Sequence, residues 1–468
     1  MKLISLLGAL LLSCGVYSQA HECGTDWINQ QYVNAHPEIF AKRMLFDQNI
    51  AAQSNHLHRS AQNQVYEIPV VVHIVHTGEA VGTYYNPSDA AIESWLDYTN
   101  DIFAATAPGF SSSAVIPVRF VLARRDQQCN ATDGIVRVNA SSIPQYAQHG
   151  IMLDSPTGAD YRDVLELSRW DPHFYYNIYV VRQLGSSAGV AFLPGTDSES
   201  DGTFVVAGTI TTNDTTGAHE LGHSLGLHHV FGTATGNSCP PNQNCMLDND
   251  MVCDTAPVSR MFNISPFPTN DVINPCSGVN YNNEQSNVMN YSTVKNNFTQ
   301  GQSDRAIAQL LEYRQDLLDS NGELEPDGIS SPVIANCQPE GTASEEGFEM
   351  GPVKVVFGNI NNPSNARIGN TPSYIDYVQM SCLSPALSTS IHSTTPTMLQ
   401  VAILSNDQVI AAYIDYNNNG IFDNDLELVV HQDQDAYTTA NYAITPPASC
   451  VKNVPLRMRI ISDFTTTV

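Results

Sequence analysis

Basic residues are scarce in this chain of 468 residues. Twenty Lys and Arg stand against 47 Asp and Glu, which gives a formal net charge of -27. A charge of that size repels phosphate backbones and anionic lipid surfaces, so nucleic acid is excluded as a partner class. Long apolar runs are scarce as well, because beyond the N-terminus no stretch approaches the ~18 apolar residues that a spanning helix needs. The sequence therefore predicts no transmembrane segment.

The N-terminus carries the one marked apolar stretch. In MKLISLLGALLLSCGVYSQA a single Lys precedes an apolar run and small polar residues follow it, a pattern that predicts an export signal over residues 1–18 with cleavage after Ser18. The letters LLSC leave a second interpretation open, in which Cys14 is acylated as in a lipoprotein. We expect a secreted protein, and ten cysteines in an exported chain predict disulfides.

The composition, with 42% hydrophobic and 14% charged residues, is that of a globular protein. The length exceeds what one core normally supports, so more than one domain is expected. Polar residues 19–64 predict a propeptide, and the apolar run YEIPVVVHIVH begins a first folded domain over 65–318. The Gly-, Pro- and acid-rich segment 319–335 predicts a linker. Strand-like runs without a clear helix signal then predict an all-β sandwich over 336–468.

Within the first domain, strand-like and helix-like segments alternate. Pro87 and Ser88 give a helix-start signal before DAAIESWLDYTNDIF, whose apolar residues recur at helical spacing. The runs VIPVRFVLARR, NIYVVRQ and TFVVAG are strand-like. This order predicts an α+β fold.

The stretch HELGHSLGLHH concentrates four of the 14 histidines of the chain. On a helix, His219 and His223 share one face and reach one ion, while Glu220 is rotated away but remains close enough to touch a water at that ion. Gly226 allows the backbone a left-handed turn that returns His229 to the metal. Three nitrogen ligands with one open position are typical of a catalytic Zn2+ site.

Four cysteines follow in a loop-rich segment with little core of its own. We expect disulfides to hold it, with Cys253 paired to Cys276 and Cys239 paired to Cys245, although spacing does not fix connectivity. A second zinc site made of the same four residues is the alternative.

The zinc motif, DMVCDTAP at 250–257 and NVMNYS at 287–292 together resemble the pappalysin-type metzincin metalloproteases, of the cytophagalysin-like, secreted bacterial kind. The resemblance covers about residues 65–318 and implies a catalytic domain with a twisted mixed sheet, two long helices and a zinc cleft. It implies roles for six residues: zinc ligands His219, His223 and His229, the general base Glu220, the hydrophobic floor Met289, and the oxyanion-stabilising hydroxyl of Tyr291.

The same resemblance implies a secreted zinc endopeptidase that acts on protein or peptide substrates. An extended substrate would pair with an edge strand, for which GVAFLPG is the candidate, unless that run is an interior strand. The alternative function is a catalytically inactive metzincin-fold adhesion or binding protein. We expect a monomer.

The segment AAYIDYNNNGIFDNDLELV resembles the core of GEVED-type domains. Asp415, Asn417 and Asn419 are spaced like the start of a calcium loop, which makes Ca2+ a candidate second metal. The closing acid, Glu427, comes one position later than an EF-hand requires, so a plain hairpin turn stays open. The sequence stops at DFTTTV, before the acidic ending of such domains, and we expect the domain to be divergent or incomplete.

The last motif is AHECGTDW. Cys23, followed by Gly24, could place a thiolate in the open zinc position and keep the site latent, as the CG pair of related proenzymes does. Nine cysteines are left after signal removal, so an unpaired Cys23 leaves an even eight that can pair, with Cys337 and Cys450 among them. A disulfide from Cys23 to Cys129 or to another cysteine is the alternative. Activation would then need a cut between Cys23 and Glu67, with Arg43 and Arg59 as candidate positions.

Overall fold

A computed structural model describes residues 22–57, 64–110, 114–153, 155, 157–196, 200–326, 332–339, 351–364, 374–378, 381–404 and 406–463. The predicted export signal, Cys14 and Arg59 lie outside these residues.

The first part of the chain forms a mixed α+β body, as the sequence predicts. Its seven-stranded sheet has the order β1-β6-β7-β5-β2-β3, with β4 also pairing with β2. All pairs are parallel except β6 with β7. The strands are β1 (Glu22–Cys23), β2 (Tyr66–His76), β3 (Val118–Leu122), β4 (Ile135–Asn139), β5 (Tyr176–Val181), β6 (Ser187–Ala191) and β7 (Thr203–Val206).

The helices flank this sheet. They are α1 (Thr25–Ala35), α2 (Pro37–Leu57), α3 (Asp89–Phe103), α4 (Pro144–His149), α5 (Tyr161–Leu165), α6 (Thr216–Ser224), α7 (Gln300–Tyr313) and α8 (Gln315–Leu318), with short 3-10 helices at Ala207–Thr209 and Glu284–Ser286. The predicted start of α3 is confirmed, because the Ser88 hydroxyl accepts a hydrogen bond from the Ala91 N–H at 3.3 Å and so caps the helix.

The main core lies between the sheet and the helices α3, α6 and α7. Strand β2 explains why the sheet is central: eight of its consecutive residues are buried, as expected for a β-branched run covered on both faces. Trp95 of α3 is fully buried against α6, where a Cβ on Gly217 would lie 2.7 Å from the indole. The two helices can therefore approach closely, and α6 is held firmly against the core.

The second part contains two antiparallel sheets that share one hydrophobic core. Their orders are β13-β10-β8-β9 and β12-β11-β14. This arrangement agrees with the predicted all-β sandwich. The strands are β8 (Pro352–Phe357), β9 (Ile360–Pro363), β10 (Thr397–Ile403), β11 (Gln408–Ile414), β12 (Leu428–Gln434), β13 (Thr439–Ile444) and β14 (Met458–Asp463), and a 3-10 helix spans Pro385–Leu387.

Covalent and polar contacts tie the segment before β10 to the first body. Cys129 forms a disulfide with Cys382, and the Arg125 guanidinium donates to the carbonyls of Cys382 (2.8 Å), Leu324 (2.9 Å) and Glu325 (2.7 Å). Residues 319–326, predicted as the start of a linker, are thus bonded to the first body.

Candidate metal centre

Helix α6 carries the first two histidines and the glutamate of the zinc motif. The helix begins where the Thr216 N–H donates to the Asp214 carboxylate at 2.7 Å. His219, Glu220 and His223 are 2%, 1% and 1% exposed. Three polar side chains at that depth need partners, and the surrounding turns supply them.

The turn after α6 positions the third histidine. Gly226 has φ +81°, and a Cβ there would lie 2.5 Å from Cγ of Gln309, so only glycine fits. The Leu227 N–H donates to the Gly222 carbonyl at 3.0 Å, and the Leu227 carbonyl accepts from Nδ1 of His223 at 2.7 Å. The left-handed turn predicted from the sequence therefore ends the helix and also orients one of its histidines.

The Nε2 atoms of the three histidines converge. Nε2 of His229 lies 3.2 Å from that of His219 and 3.1 Å from that of His223. With Sγ of Cys23 they form a group of four donor atoms that all lie within 4.8 Å of one another. A tetrahedral zinc with ~2.0–2.1 Å Zn–N bonds separates its nitrogen ligands by about 3.3 Å, so this donor set fits zinc.

The NVMNYS segment lies directly beneath this group. Met289 is fully buried, and a Cβ on Gly222 of α6 would lie 2.7 Å from its sulfur. The preceding carbonyl, of Val288, accepts from Nδ1 of His219 at 2.7 Å. The turn therefore packs an apolar side chain against α6 and supplies the partner that orients one histidine.

Glu220 and Tyr291 both face Cys23. The Cys23 thiol donates to the Glu220 carboxylate at 3.3 Å, and the Thr25 hydroxyl donates to the same oxygen at 3.2 Å. The Tyr291 hydroxyl donates to the Cys23 carbonyl at 3.1 Å. Burial raises the pKa of Glu220 to about 8, although the Cys23 hydrogen bond and the positive charge of Lys295 oppose that rise. The same pocket raises the pKa of the Cys23 thiol, through burial and the Glu220 charge.

The segment around Cys23 also covers the sheet edge. Strand β1 pairs in parallel with β6, so β6, the predicted edge strand, is second in the sheet and β1 is outermost. The Gly24 N–H donates to the Gly189 carbonyl at 3.0 Å. The Thr25 hydroxyl then accepts from the Ala191 N–H at 3.0 Å, and the Asn29 amide donates to the Ala191 carbonyl at 3.2 Å. Backbone groups that an extended peptide could use are thus occupied.

Asp26 is a site residue that the sequence reasoning missed. Its carboxylate accepts a hydrogen bond from Nδ1 of His229 at 2.9 Å. His229 itself is buried, with 1% of its surface exposed. Partial desolvation beside the buried His229 ring would raise the pKa of Asp26, but the charge and hydrogen bond of His229 lower it to about 2. The only available sequence signal was its place three residues after Cys23, and no periodicity or motif links it to a histidine about 200 residues later.

Helix α2 attaches the N-terminal segment outside the cleft. The Arg43 guanidinium donates to the carbonyls of Pro194 and Leu193, each at 2.8 Å. Asp47 forms a buried ion pair with Arg305 of α7 at 2.8 Å. The segment 22–57 is therefore held both at the reactive groups and at a second, remote place.

The predicted disulfide pairing of the loop is wrong. Cys239 pairs with Cys276 and Cys245 with Cys253. The reason is a local turn, in which the Asp248 carboxylate accepts from the N–H groups of residues 243 and 244, each at 2.9 Å, and folds the chain back so that Cys245 meets Cys253.

The remaining cysteines differ from several of the pairings expected from the sequence. Cys129 is bonded to Cys382, so the alternative disulfide from Cys23 to Cys129 is wrong, and Cys23 is a free thiol. Cys337 and Cys450, expected among the paired residues, are also free thiols.

The candidate calcium residues lie in the turn after β11. Asp415 and Glu427 are fully buried. The Asp415 carboxylate accepts from the N–H groups of Asn419 at 3.0 Å and Gly420 at 2.8 Å, and the Asn417 N–H donates to Glu427 at 3.2 Å. These bonds form a tight turn, and a calcium ion at this place stays a prediction.

Comparisons with known proteins agree with this geometry. Residues 160–311 match the family model described as Pregnancy-associated plasma protein-A, a peptidase family, and residues 409–468 match the GEVED domain.

None of the helices in the described parts of the chain combines the length and apolarity needed to cross a membrane.

Curated relatives are named extracellular metalloproteases. One from Arthroderma otae is 35% identical over 148 residues, which are 28% of this chain and 49% of the relative. One from Sordaria macrospora is 28% identical over 280 residues, 51% of this chain and 92% of the relative. The chain spans about half the length of the relatives it first matches.

Among solved structures, a promirolysin mutant from Tannerella forsythia is 22% identical, with a TM-score of 0.46, and the match covers 63% of this chain and 96% of that chain. Mature mirolysin from the same organism, in complex with a cleaved peptide, is 24% identical with a TM-score of 0.40, over 55% of this chain and 96% of that chain. The two family matches confirm the predicted resemblance: residues 160–311 are similar to pappalysin-type metallopeptidases, and a GEVED-type domain follows them.

Proposed function

We propose that this chain is a secreted, zinc-dependent endopeptidase of proteins and peptides that is made as a latent proenzyme. One observation carries the proposal. Nε2 of His229 lies within 3.2 Å of Nε2 of His219 and of His223, beside a buried Glu220, and Cys23 supplies a fourth donor atom at the same point. The names of the extracellular relatives support secretion.

Zinc held by His219, His223 and His229 would supply a positive charge that polarises a peptide carbonyl and acidifies a water molecule. Glu220 would remove a proton from the attacking water and later deliver it to the leaving nitrogen. Burial in the cleft raises the pKa of the Glu220 carboxyl, which makes its ionised form a stronger proton acceptor.

Tyr291 would stabilise the developing oxyanion. Its hydroxyl already donates to a peptide carbonyl, that of Cys23, at 3.1 Å. A substrate carbonyl brought to the same position would receive the same hydrogen bond, which strengthens as negative charge develops on the oxygen.

The substrate would bind as an extended peptide along β6. Removal of β1 would free the Gly189 carbonyl and the Ala191 N–H and carbonyl, which are bonded to residues 24–29 in the latent chain. Main-chain pairing of this kind gives affinity for many sequences, so proteins and peptides are the expected substrate class.

Replacement of the base tests the enzymatic proposal. After removal of the propeptide, casein hydrolysis by Glu220→Gln should fall by about 100-fold to 10,000-fold, the usual contribution of a general acid–base group. Glu93→Gln is the matched control, since Glu93 is exposed on α3. A Glu220→Gln protein that hydrolyses casein like the control would reject Glu220 as the base, and a wild-type protein inert with zinc would favour the adhesion alternative.

Latency would come from the segment around Cys23. The Cys23 thiol and the Thr25 hydroxyl donate hydrogen bonds to Glu220. The Cys23 carbonyl accepts a hydrogen bond from the Tyr291 hydroxyl, and β1 pairs with β6 along the sheet edge. A water and a substrate are then both excluded from the groups that would act on them. A thiol that faces three zinc ligands is placed to bind zinc as a thiolate, because the charge of the metal would favour the deprotonated form.

Loss of the thiol should release activity. We expect intact Cys23→Ala protein to hydrolyse casein at least tenfold faster than the intact wild-type proenzyme, because the fourth metal position opens to water. Cys337→Ala is the control for loss of a free thiol. Self-digestion during expression that stops when Glu220→Gln is added would support the same conclusion. Intact Cys23→Ala that stays inert, while its cleaved form is active, would show that Cys23 is not the latch.

The geometry of α2 bears on where activation cuts fall. Arg43 lies within the helix, and its guanidinium is bonded to two carbonyls. Proteases cut poorly within a helix, so we propose that the first cut falls at Arg59 rather than at Arg43. The proposal also includes zinc as the resident metal, a signal peptide over residues 1–18 and a monomeric state.

A further inference from the structure

Each of the three converging histidines is held from behind through its other ring nitrogen. Nδ1 of His219 bonds to the Val288 carbonyl at 2.7 Å, and Nδ1 of His223 bonds to the Leu227 carbonyl at 2.7 Å. Both acceptors belong to the proposed catalytic domain. Nδ1 of His229 instead bonds to the Asp26 carboxylate at 2.9 Å, and Asp26 belongs to the proposed propeptide.

This third partner differs from the other two in chemistry as well as origin. A carboxylate fixes the ring with its Nε2 lone pair towards the metal, as a carbonyl does, and also raises the basicity of that nitrogen. Among the described residues, Asp26 is the hydrogen-bond partner recorded for Nδ1 of His229. The third histidine thus depends on a segment that leaves when the enzyme is activated.

The seating of the propeptide fixes where Asp26 lies. Two residues before it the Gly24 N–H bonds to Gly189, and next to it Thr25 bonds to Ala191 and Glu220. A Cβ on Gly24 would approach Cδ1 of Leu153 to 2.8 Å, so the chain enters the cleft closely packed. Helix α1 begins at Thr25 and points the Asp26 side chain at His229.

We propose that Asp26 is a positioning residue that the propeptide supplies to the zinc site, so that the proenzyme retains zinc more tightly than the thiolate of Cys23 alone would achieve. The propeptide would then have two roles: it blocks the reactive groups, and it holds the metal until the chain is activated. This inference rests on the proposed zinc function and concerns the same site.

A purely anchoring role for Asp26 is the competing explanation. Its side chain is 52% exposed, and ion pairs with that exposure contribute little to attachment because solvent screens them. The remote contacts of Arg43 and Asp47 are better placed to anchor the segment. Metal retention and attachment can be measured separately.

The experiment uses the full-length chain with Glu220→Gln added to prevent self-cleavage. Zinc transfer to an excess of a chelating dye is followed in time for this parent and for Asp26→Asn, Asp26→Glu and Glu38→Gln. Glu38→Gln is the matched control, because it removes an exposed carboxylate from the same N-terminal segment without changing the residues that seat Asp26. We expect zinc to leave Asp26→Asn about tenfold to 100-fold faster than the parent, with partial rescue in Asp26→Glu and little change in Glu38→Gln.

Cobalt substitution reports whether the propeptide is still seated. The thiolate-to-cobalt charge-transfer band of Cys23 should persist in Asp26→Asn, while the ligand-field bands should shift because the third histidine is reoriented. Loss of the thiolate band, or zinc release no faster than in Glu38→Gln, would overturn the proposal and leave Asp26 as an anchor or a bystander. A parent protein that binds no zinc would instead contradict the proposed function itself.

Discussion

Two places in this molecule were predicted from the sequence as metal sites, and their donor atoms are arranged in opposite ways. In the histidine cluster, Nε2 of His229 lies 3.2 Å and 3.1 Å from the Nε2 atoms of His219 and His223, and the three Nδ1 atoms are hydrogen-bonded on the opposite side of the rings. In the Asp415 turn, the carboxylate oxygens face backbone N–H groups of the same turn.

The comparison distinguishes a ligand set that needs a cation from one that is already satisfied. Converging imidazole lone pairs repel one another unless a proton or a metal lies between them, and burial lowers the pKa of His219 and His223, which disfavours the proton. The Asp415 and Glu427 carboxylates are compensated by donated N–H groups. The first site should therefore depend on metal far more than the second.

Removal of zinc is expected to have the largest effect. Chelation should abolish casein hydrolysis by the propeptide-free chain and lower its stability by about 4 kcal/mol relative to zinc at a thousandfold excess over Kd. Thermal unfolding and activity are measured after chelation and again after zinc or calcium alone is returned. Recovery with calcium but not zinc would reverse the comparison.

A substitution in the Asp415 turn should have an intermediate effect, and only on stability. In Asp415→Asn one carboxylate oxygen becomes an amide N–H2 facing a backbone donor, so we expect a loss of about 2 kcal/mol in the unfolding free energy of the β-sandwich. Urea unfolding measures the loss, and Asp425→Asn is the control because Asp425 is exposed in the same turn. An unchanged unfolding curve would show that these hydrogen bonds do not hold the turn together.

Calcium is expected to have the smallest effect. Because the carboxylates of the turn already have donors, millimolar calcium should stabilise the chelated chain by less than about 1 kcal/mol. A rise of several degrees in the unfolding temperature with calcium, in the wild type and not in Asp415→Asn, would show that the Asp415 turn is a metal site after all.

The parts of this structure differ in how far the sequence predicts them. The zinc motif is local: helical spacing places His219 and His223 on one face, and the left-handed turn at Gly226 follows from its being glycine. Strand β2 and the start of α3 follow from a buried run and a cap in the same local way. These elements are predictable because each is determined by residues close together in the sequence.

Partners that meet only in the folded chain escaped prediction. Asp26 reaches His229 across 203 positions, and Arg305 reaches Asp47 across the boundary between the proposed propeptide and catalytic domain. The disulfide pairing failed for a related reason, since the turn around Asp248 reverses the loop and no spacing rule contains it.

The central claim is that one zinc ion joins three histidines of the catalytic body to Cys23 of the propeptide. X-ray absorption at the zinc edge of the purified, uncleaved chain tests it most directly. The account predicts one sulfur at about 2.3 Å and three nitrogens, with the sulfur lost in Cys23→Ser and after propeptide removal. A wild-type spectrum without sulfur scattering, identical to that of Cys23→Ser, would contradict it.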